Sequence, residues 1–251
     1  MKLIFQIFVL FISFAAQAAP FSIDYPMSFF VTSKPIGDGG NLGGLAGADA
    51  HCQLLATEVG YGHKTWAAYL STQSQDGMPA INARDRIGEG PWFNFNGEMI
   101  ARNLEHLHGN TLELARLGNN MTKQSVLTEK GQIVPGLNDF QENGHNDLDW
   151  DYVKNTPNSN RHEVLTGSQP DGTAYMSELD YTCNNWTSNE DPEDYGPMGA
   201  AENKPNVQIG FTDRNGGGNG SWNSSHGTRG CSQHSLVRTH GIGMFYCFAI
   251  N

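Results

Sequence analysis

Positive charge is scarce in this chain: 15 Lys and Arg stand against 26 Asp and Glu, a formal net charge of −11. Such a surface repels phosphate backbones, so nucleic acid is not an expected partner, whereas cations or neutral polar ligands such as sugars suit it. Catalytic signatures are missing as well. No H-E-x-x-H, G-x-S-x-G or S-x-x-K occurs, so the nine histidines come without an enzyme's pattern. His106 and His108 lie two apart, facing different ways on a helix, and make a poor metal pair. His226, His234 and His240 fall among Ser224, Ser225, Ser232 and Ser235 without a recognisable nucleophile arrangement. No cysteine belongs to a C-x-x-C pair, which argues against a zinc knuckle. The stretch Gly37 to Gly47 (GDGGNLGGLAG) lacks the G-K-[ST] ending of a P-loop and the spacing of a dinucleotide fold, and reads as a tight turn into a helix.

Past the first residues no segment is long and apolar enough to span a membrane. At the start, Lys2 precedes an almost unbroken apolar run from Leu3 to Ala16, followed by small residues at Ala16 and Ala18. That is the basic, apolar, A-x-A order of a secretory signal peptide, and roughly 14 apolar residues fall short of the ~20 a spanning helix needs. Residues 1–18 are therefore read as a cleavable signal, with export to the periplasm or the medium expected. Loss of the one positive charge of Lys2 takes the net charge from −11 to −12. No linker divides what remains, so residues 27–251 are read as one domain. Its four cysteines, Cys52, Cys183, Cys231 and Cys247, are an even count in an exported chain and predict two disulfides. Spacing alone leaves three pairings open.

Local pattern predicts mixed structure. Met27 to Ser33 reads as a strand, Ala46 to Val59 as a helix carrying Cys52 and ended by Gly60, and Thr65 to Thr72 as a second strand. Ile87 to Gly97 reads as turn, short strand and turn, and Leu104, Leu107 and Leu112 as a short helix. Asn138 to Asn160 is rich in Asn and Asp and reads as a surface excursion. The C-terminal third carries short strand-like runs at His162 to Thr166, Thr173 to Glu178, Asn206 to Phe211 and Gly241 to Ile250. The last is a buried strand carrying Cys247.

GADAHC (Gly47 to Cys52), TWAAYLST (Thr65 to Thr72), FNFNG (Phe93 to Gly97), LTGSQPDG (Leu165 to Gly172), CNNW (Cys183 to Trp186), CSQH (Cys231 to His234) and FYCFAIN (Phe245 to Asn251) follow one another in an order that resembles the C-type-lectin-like fold. Within it, the chain is most similar to the endostatin-like domain of certain collagens and to secreted bacterial proteins called lectins by analogy. The resemblance covers about Met27 to the C-terminus, weakly from Glu98 to Asn160. It implies an α+β domain with a twisted, mostly antiparallel sheet flanked by helices and topped by long loops. It also implies nested disulfides, Cys52 with Cys247 and Cys183 with Cys231. The collagen domain's zinc and heparin sites do not carry over: Pro20 to Tyr25 holds no histidine, and arginines are scattered.

Candidate ligand chemistry gathers between the inner cysteines. Sugars are bound by aromatic faces with planar amides and carboxylates on the hydroxyls, and Asn184, Asn185, Trp186, Trp222 and Asn223 supply those types. Tryptophan is also a good core residue. Glu190, Asp191, Glu193 and Asp194 form an acidic loop that reads either as solvated or, with Asn223, as a Ca²⁺ site built from hard oxygen ligands. Gln169-Pro170-Asp171 and Trp222-Asn223-Ser224 echo tripeptides of calcium-dependent lectins, but P-D-G is a turn signature in its own right. Asp147, Asp149 and Asp151 alternate without the glycine and terminal glutamate of an EF-hand loop. The expectation is an exported, non-enzymatic protein that binds carbohydrate or a glycoconjugate, Ca²⁺ being its candidate cofactor. A surface or matrix module that binds an extracellular protein is the alternative.

Overall fold

A computed structural model describes residues 26–109, 118–136, 139, 150–156, 159–192, 206–213 and 220–250. Residues 1–18, read above as a signal peptide, and Leu112, Asp147, Asp149, Glu193 and Asp194 lie outside them. The chain is a mixed α and β structure with a mostly antiparallel sheet, few helices and two disulfides.

The sheet is organised around its last strand. β1 (Phe29–Val31) lies antiparallel along one edge of β8 (Gly241–Ala249), while β2 (Trp66–Ala68), antiparallel, and β5 (Glu163–Leu165), parallel, share the other edge. β6 (Gln208–Phe211) and β7 (His226–Gly227) extend the sheet beyond β5, both by antiparallel pairing. β3 (Trp92–Phe93) and β4 (Met99–Ala101) form a separate hairpin. All nine residues of β8 are buried, because alternate side chains enter two cores. Phe245, Cys247 and Ala249 pack with Phe30, Trp66, Leu55 and Trp186 under the first helix. Met244, Tyr246 and Phe248 pack with Phe29, Tyr69, Trp92 and Trp222 on the opposite face. Each such fully buried aromatic or aliphatic side chain contributes roughly 1.5–3 kcal/mol.

The helix α1 (Gly44–Glu58) buries Ala48, Cys52, Leu55 and Ala56, a stripe at helical spacing. Its polar residues close the neighbouring strand end. Asp49 accepts from Ala68 N at 2.8 Å and from both Arg86 Nη2 contacts, at 2.7 and 2.8 Å. Gly60 takes φ +89° just past the helix, the left-handed stop expected of it. Further along are α2 (Leu104–His108), α3 (Trp150–Asn155), α4 (Cys183–Trp186) and α5 (Gln233–Arg238). α3 falls inside the stretch read as a surface excursion. Ser159 and Asn160 just after it are buried. Thr173 to Glu178 does not form a strand: only Ala174 bridges Ser168, and the following residues loop outward.

Cys52 pairs with Cys247 and Cys183 with Cys231, the nested connectivity the resemblance implies. The first bridge ties α1 to β8; the second ties α4 to the start of α5. The glycine-rich turn is explained by this second bridge. A Cβ on Gly40 would lie 2.7 Å from Cys183 Cβ and 2.8 Å from its Sγ, and one on Gly39 would lie 2.1 Å from Cys231 O.

Candidate ligand-binding groove

Four consecutive residues, Cys183, Asn184, Asn185 and Trp186, have φ of 48°, 54°, 53° and 67°. α4 is thus one turn of left-handed helix, a conformation that costs an L-residue roughly 1–2 kcal/mol and that Asn tolerates best. Several interactions hold it. Asp180 Oδ1 accepts from Thr182 N at 2.8 Å and Oδ2 from Asn184 N at 2.7 Å, while Thr182 Oγ1 accepts from Asn185 N at 3.2 Å. Trp186 N donates to Thr182 O at 2.8 Å. Below the turn, Trp186 is fully buried and its indole N–H donates to Ser71 O at 2.8 Å. The Cys183–Cys231 bridge fastens the turn from the side.

The turn pushes Asn184 and Asn185 upward against the hairpin that follows β2. Gln73 N donates to Asn185 Oδ1 at 2.7 Å, and Asn185 Nδ2 returns bonds to Gln73 O at 3.0 Å and Gln75 Oε1 at 2.9 Å. Gln75 Nε2 donates to Asn184 Oδ1. The buried side chain of Gln73 plugs the outward loop of residues 175–181: it accepts from Tyr181 N at 2.6 Å and donates to Ser177 O and Leu179 O at 3.0 and 2.8 Å. Tyr175 and Tyr181 stack across that loop's neck with ring centroids 4.1 Å apart. Within Thr173 to Glu178, Ala174 N donates to Asn82 Oδ1 and Ser177 O accepts from Gln73, so these backbone groups bond side chains instead of a neighbouring strand. The result is a groove of about 230 Å³ with Gln73, Ser74 and Gln75 on one side, Ser177 to Asp180 on the other, and Thr182, Asn184 and Asn185 along its length.

The other sequence candidates lie elsewhere. Trp222 is 5 % exposed, its ring centroid 4.9 Å from Tyr69 and 5.6 Å from Tyr246. Asn223 is buried and donates to Tyr69 Oη at 3.0 Å and to Gln169 O and Pro170 O, both at 3.2 Å. Of the five candidate ligand residues, only Asn184 and Asn185 line this groove; Trp186 is buried in the core, and Trp222 and Asn223, though largely buried, line a second pocket of about 210 Å³ with His108, Asn119, Pro170 and Ser221. Gln169-Pro170-Asp171 is a turn: Gly172 N donates to Gln169 O, and Asp171 Oδ1 accepts from Thr173 N and Oγ1.

Of the acidic loop, Glu190 and Asp191 are described, and Glu193 and Asp194 lie outside the described residues. Asp191 spends its carboxylate on the start of α5, accepting from Ser232 N at 2.9 Å and Ser232 Oγ at 2.6 Å. Glu190 is exposed. Asp151 pairs with Lys154 on α3. Among the described residues no group of three His, Cys, Asp or Glu is set to hold a metal ion.

Sequence reasoning missed two polar clusters. In the first, His108 Nδ1–H donates to Leu104 O at 2.9 Å, which leaves Nε2 to accept from Tyr69 Oη at 2.8 Å. Burial depresses His108 to about 4 and raises the Tyr69 phenol, so this pair is neutral at pH 7, with the Nε2 lone pair occupied by the Tyr69 hydroxyl. In the second, Glu163 is buried and 3.3 Å from His226, and His162 is 2.9 Å from Asp213. Burial raises the Glu163 carboxyl; His226 is raised too, its neighbour Glu163 outweighing desolvation. The H-E dipeptide at 162–163 was the only sequence sign of this corner. Among the described residues no helix is long and apolar enough to cross a membrane. Neither a protein-family model nor a curated protein matches this chain.

Proposed function

We propose that this chain is an exported, non-enzymatic binding protein of C-type-lectin-like architecture that takes carbohydrate into the groove between Gln75, Glu178 and Asn184. The observation that carries this reading is the left-handed turn. Four strained residues are held by a disulfide, a buried indole and an aspartate cap so that planar amides stand at a fixed spacing. Strain maintained in this way belongs to sites that need pre-organisation. Amides held rigidly can take up sugar hydroxyls without first losing side-chain entropy. Export is supported by the signal-like N-terminus together with two formed disulfides.

A protein ligand is the second reading, favoured by two exposed methionines beside the groove. Met78 (69 % exposed) bridges to the lining residue Gln75, and Met176 (84 %) precedes the lining residue Ser177. A glycan array probed with the oxidised protein, with Ca²⁺ and again with EDTA, separates the possibilities. Binding that survives EDTA and is lost in Gln75→Ala is expected. Loss on chelation would instead return the acidic loop as a calcium site. Silence across the array from folded protein would favour the protein partner.

A further inference from the structure

We infer that the groove takes an amine-bearing sugar in preference to a neutral or anionic one, an inference that rests on the carbohydrate reading above. Its hydrogen-bond accounting leads there. Asn185 is saturated: Oδ1 accepts from Gln73 N and Thr182 Oγ1, and Nδ2 donates to Gln73 O and Gln75 Oε1. Gln73 has both amide N–H groups and an oxygen lone pair in use. Asp180 accepts from Thr182 N on Oδ1 and from Asn184 N on Oδ2. Ser177 Oγ accepts from Leu179 N. Asn185 thus has nothing left for a ligand, while Gln73 keeps one oxygen lone pair, Ser177 its O–H, and Asp180 the lone pairs left beside its two backbone bonds.

Four other lining residues have free groups. Gln75 and Asn184 each use one N–H and one lone pair within the network, and so keep one of each. Ser74 is exposed with its hydroxyl free, and Glu178 is exposed with no partner for its carboxylate among the described residues. The amides suit hydroxyls, which donate and accept alike. The carboxylate accepts only, and its best complement is a cationic N–H donor. Among the described residues no Lys, Arg or His lines the groove, and the chain as a whole carries −11. A sugar carboxylate or sulfate would therefore enter against the field with no cation to receive it. An ammonium on a sugar ring would meet Glu178 while its neighbouring hydroxyls met Gln75 and Asn184; acetylating that nitrogen removes the charge.

The test is isothermal titration of the oxidised protein at pH 6 and low salt with three probes: a fully deacetylated chito-oligosaccharide tetramer, its N-acetylated counterpart, and an oligogalacturonate of equal length. The deacetylated tetramer is expected to bind on the order of tenfold tighter than the acetylated one, with the oligogalacturonate weakest. Glu178→Gln, on an exposed loop, should bring the two chito-oligosaccharides to similar affinity with an unchanged unfolding midpoint. Equal binding of both by the wild-type protein overturns this inference and leaves the carbohydrate reading standing. A preference that persists in Glu178→Gln overturns the role of that carboxylate. Absence of binding by all three probes and by the array overturns the inference together with the reading beneath it.

Discussion

His108 commits both ring nitrogens inside the protein, and its titration has a calculable consequence. Its folded value of about 4 lies below the ordinary 6.5 because burial penalises the charged ring. A depressed histidine binds fewer protons folded than unfolded, so its contribution is fully present above pH 6.5 and is lost as pH falls through 4. The shift corresponds to roughly 3 kcal/mol. Urea unfolding at pH 7 and pH 4 should therefore show a smaller acid loss in His108→Gln than in the wild-type protein. An equal loss in both would contradict the assignment. Trp186 makes a second case at this scale. Its ring is fully buried, so Trp186→Ala should cost roughly 3–5 kcal/mol by thermal or denaturant unfolding. Trp186→Phe leaves Ser71 O without its indole donor and should cost about 1–3 kcal/mol. The sequence permitted both a sugar platform and a core role for this tryptophan, and nothing local decided between them. Burial depends on which surface the left-handed turn presents downward.

Among the elements, the left-handed turn separates strain from recognition. Asn184→Gly removes the side chain from a residue at φ 54°, where glycine has no steric penalty. Its unfolding midpoint should stay level or rise, while Asn184→Ala, which keeps a Cβ at positive φ, should lose about 1 kcal/mol or more. Both should lose ligand binding. Parallel stability changes in the two variants would mean that the turn is not strained at this position. Replacing Cys183 and Cys231 together by Ala opens a bridge of sequence separation 48 and should cost about 4 kcal/mol in the chain-entropy view. α1, β1, β2 and β8 were legible from the sequence because the spacing of their apolar residues matches how they pack. The turn was not, because left-handed helix has no periodic signature. The adjacent Asn184 and Asn185, the residue type most tolerant of positive φ after glycine, were its one local sign. α5 also escaped notice, although Ser232 caps it by accepting from Ser235 N. A six-residue helix is too short to establish an apolar period.

Across the whole molecule, a central strand buried on both faces and two bridges fix the scaffold, and the polar loops are displayed on it. Asn184 and Asn185 both line the groove, and that they belong together could be read from the chain. Gln73, Gln75 and Glu178 could not, because they reach the groove only through a hairpin and a loop about 100 residues apart in sequence. Asn223 stands with Asn184 and Asn185 between Cys183 and Cys231 in the sequence, but its amide folds against Gln169 and Pro170, beside the second pocket rather than the groove. The central claim is that ligand enters at the exposed amides. Side-chain NH₂ resonances of the ¹⁵N-labelled protein, followed during titration with the tightest glycan of the array, test it most directly. Gln75 and Asn184 should shift strongly, Asn185 and Gln73 less, and Asn223 and the Trp186 and Trp222 indoles hardly at all. Shifts centred on Trp222 and Asn223, with Gln75 and Asn184 unmoved, would contradict the account.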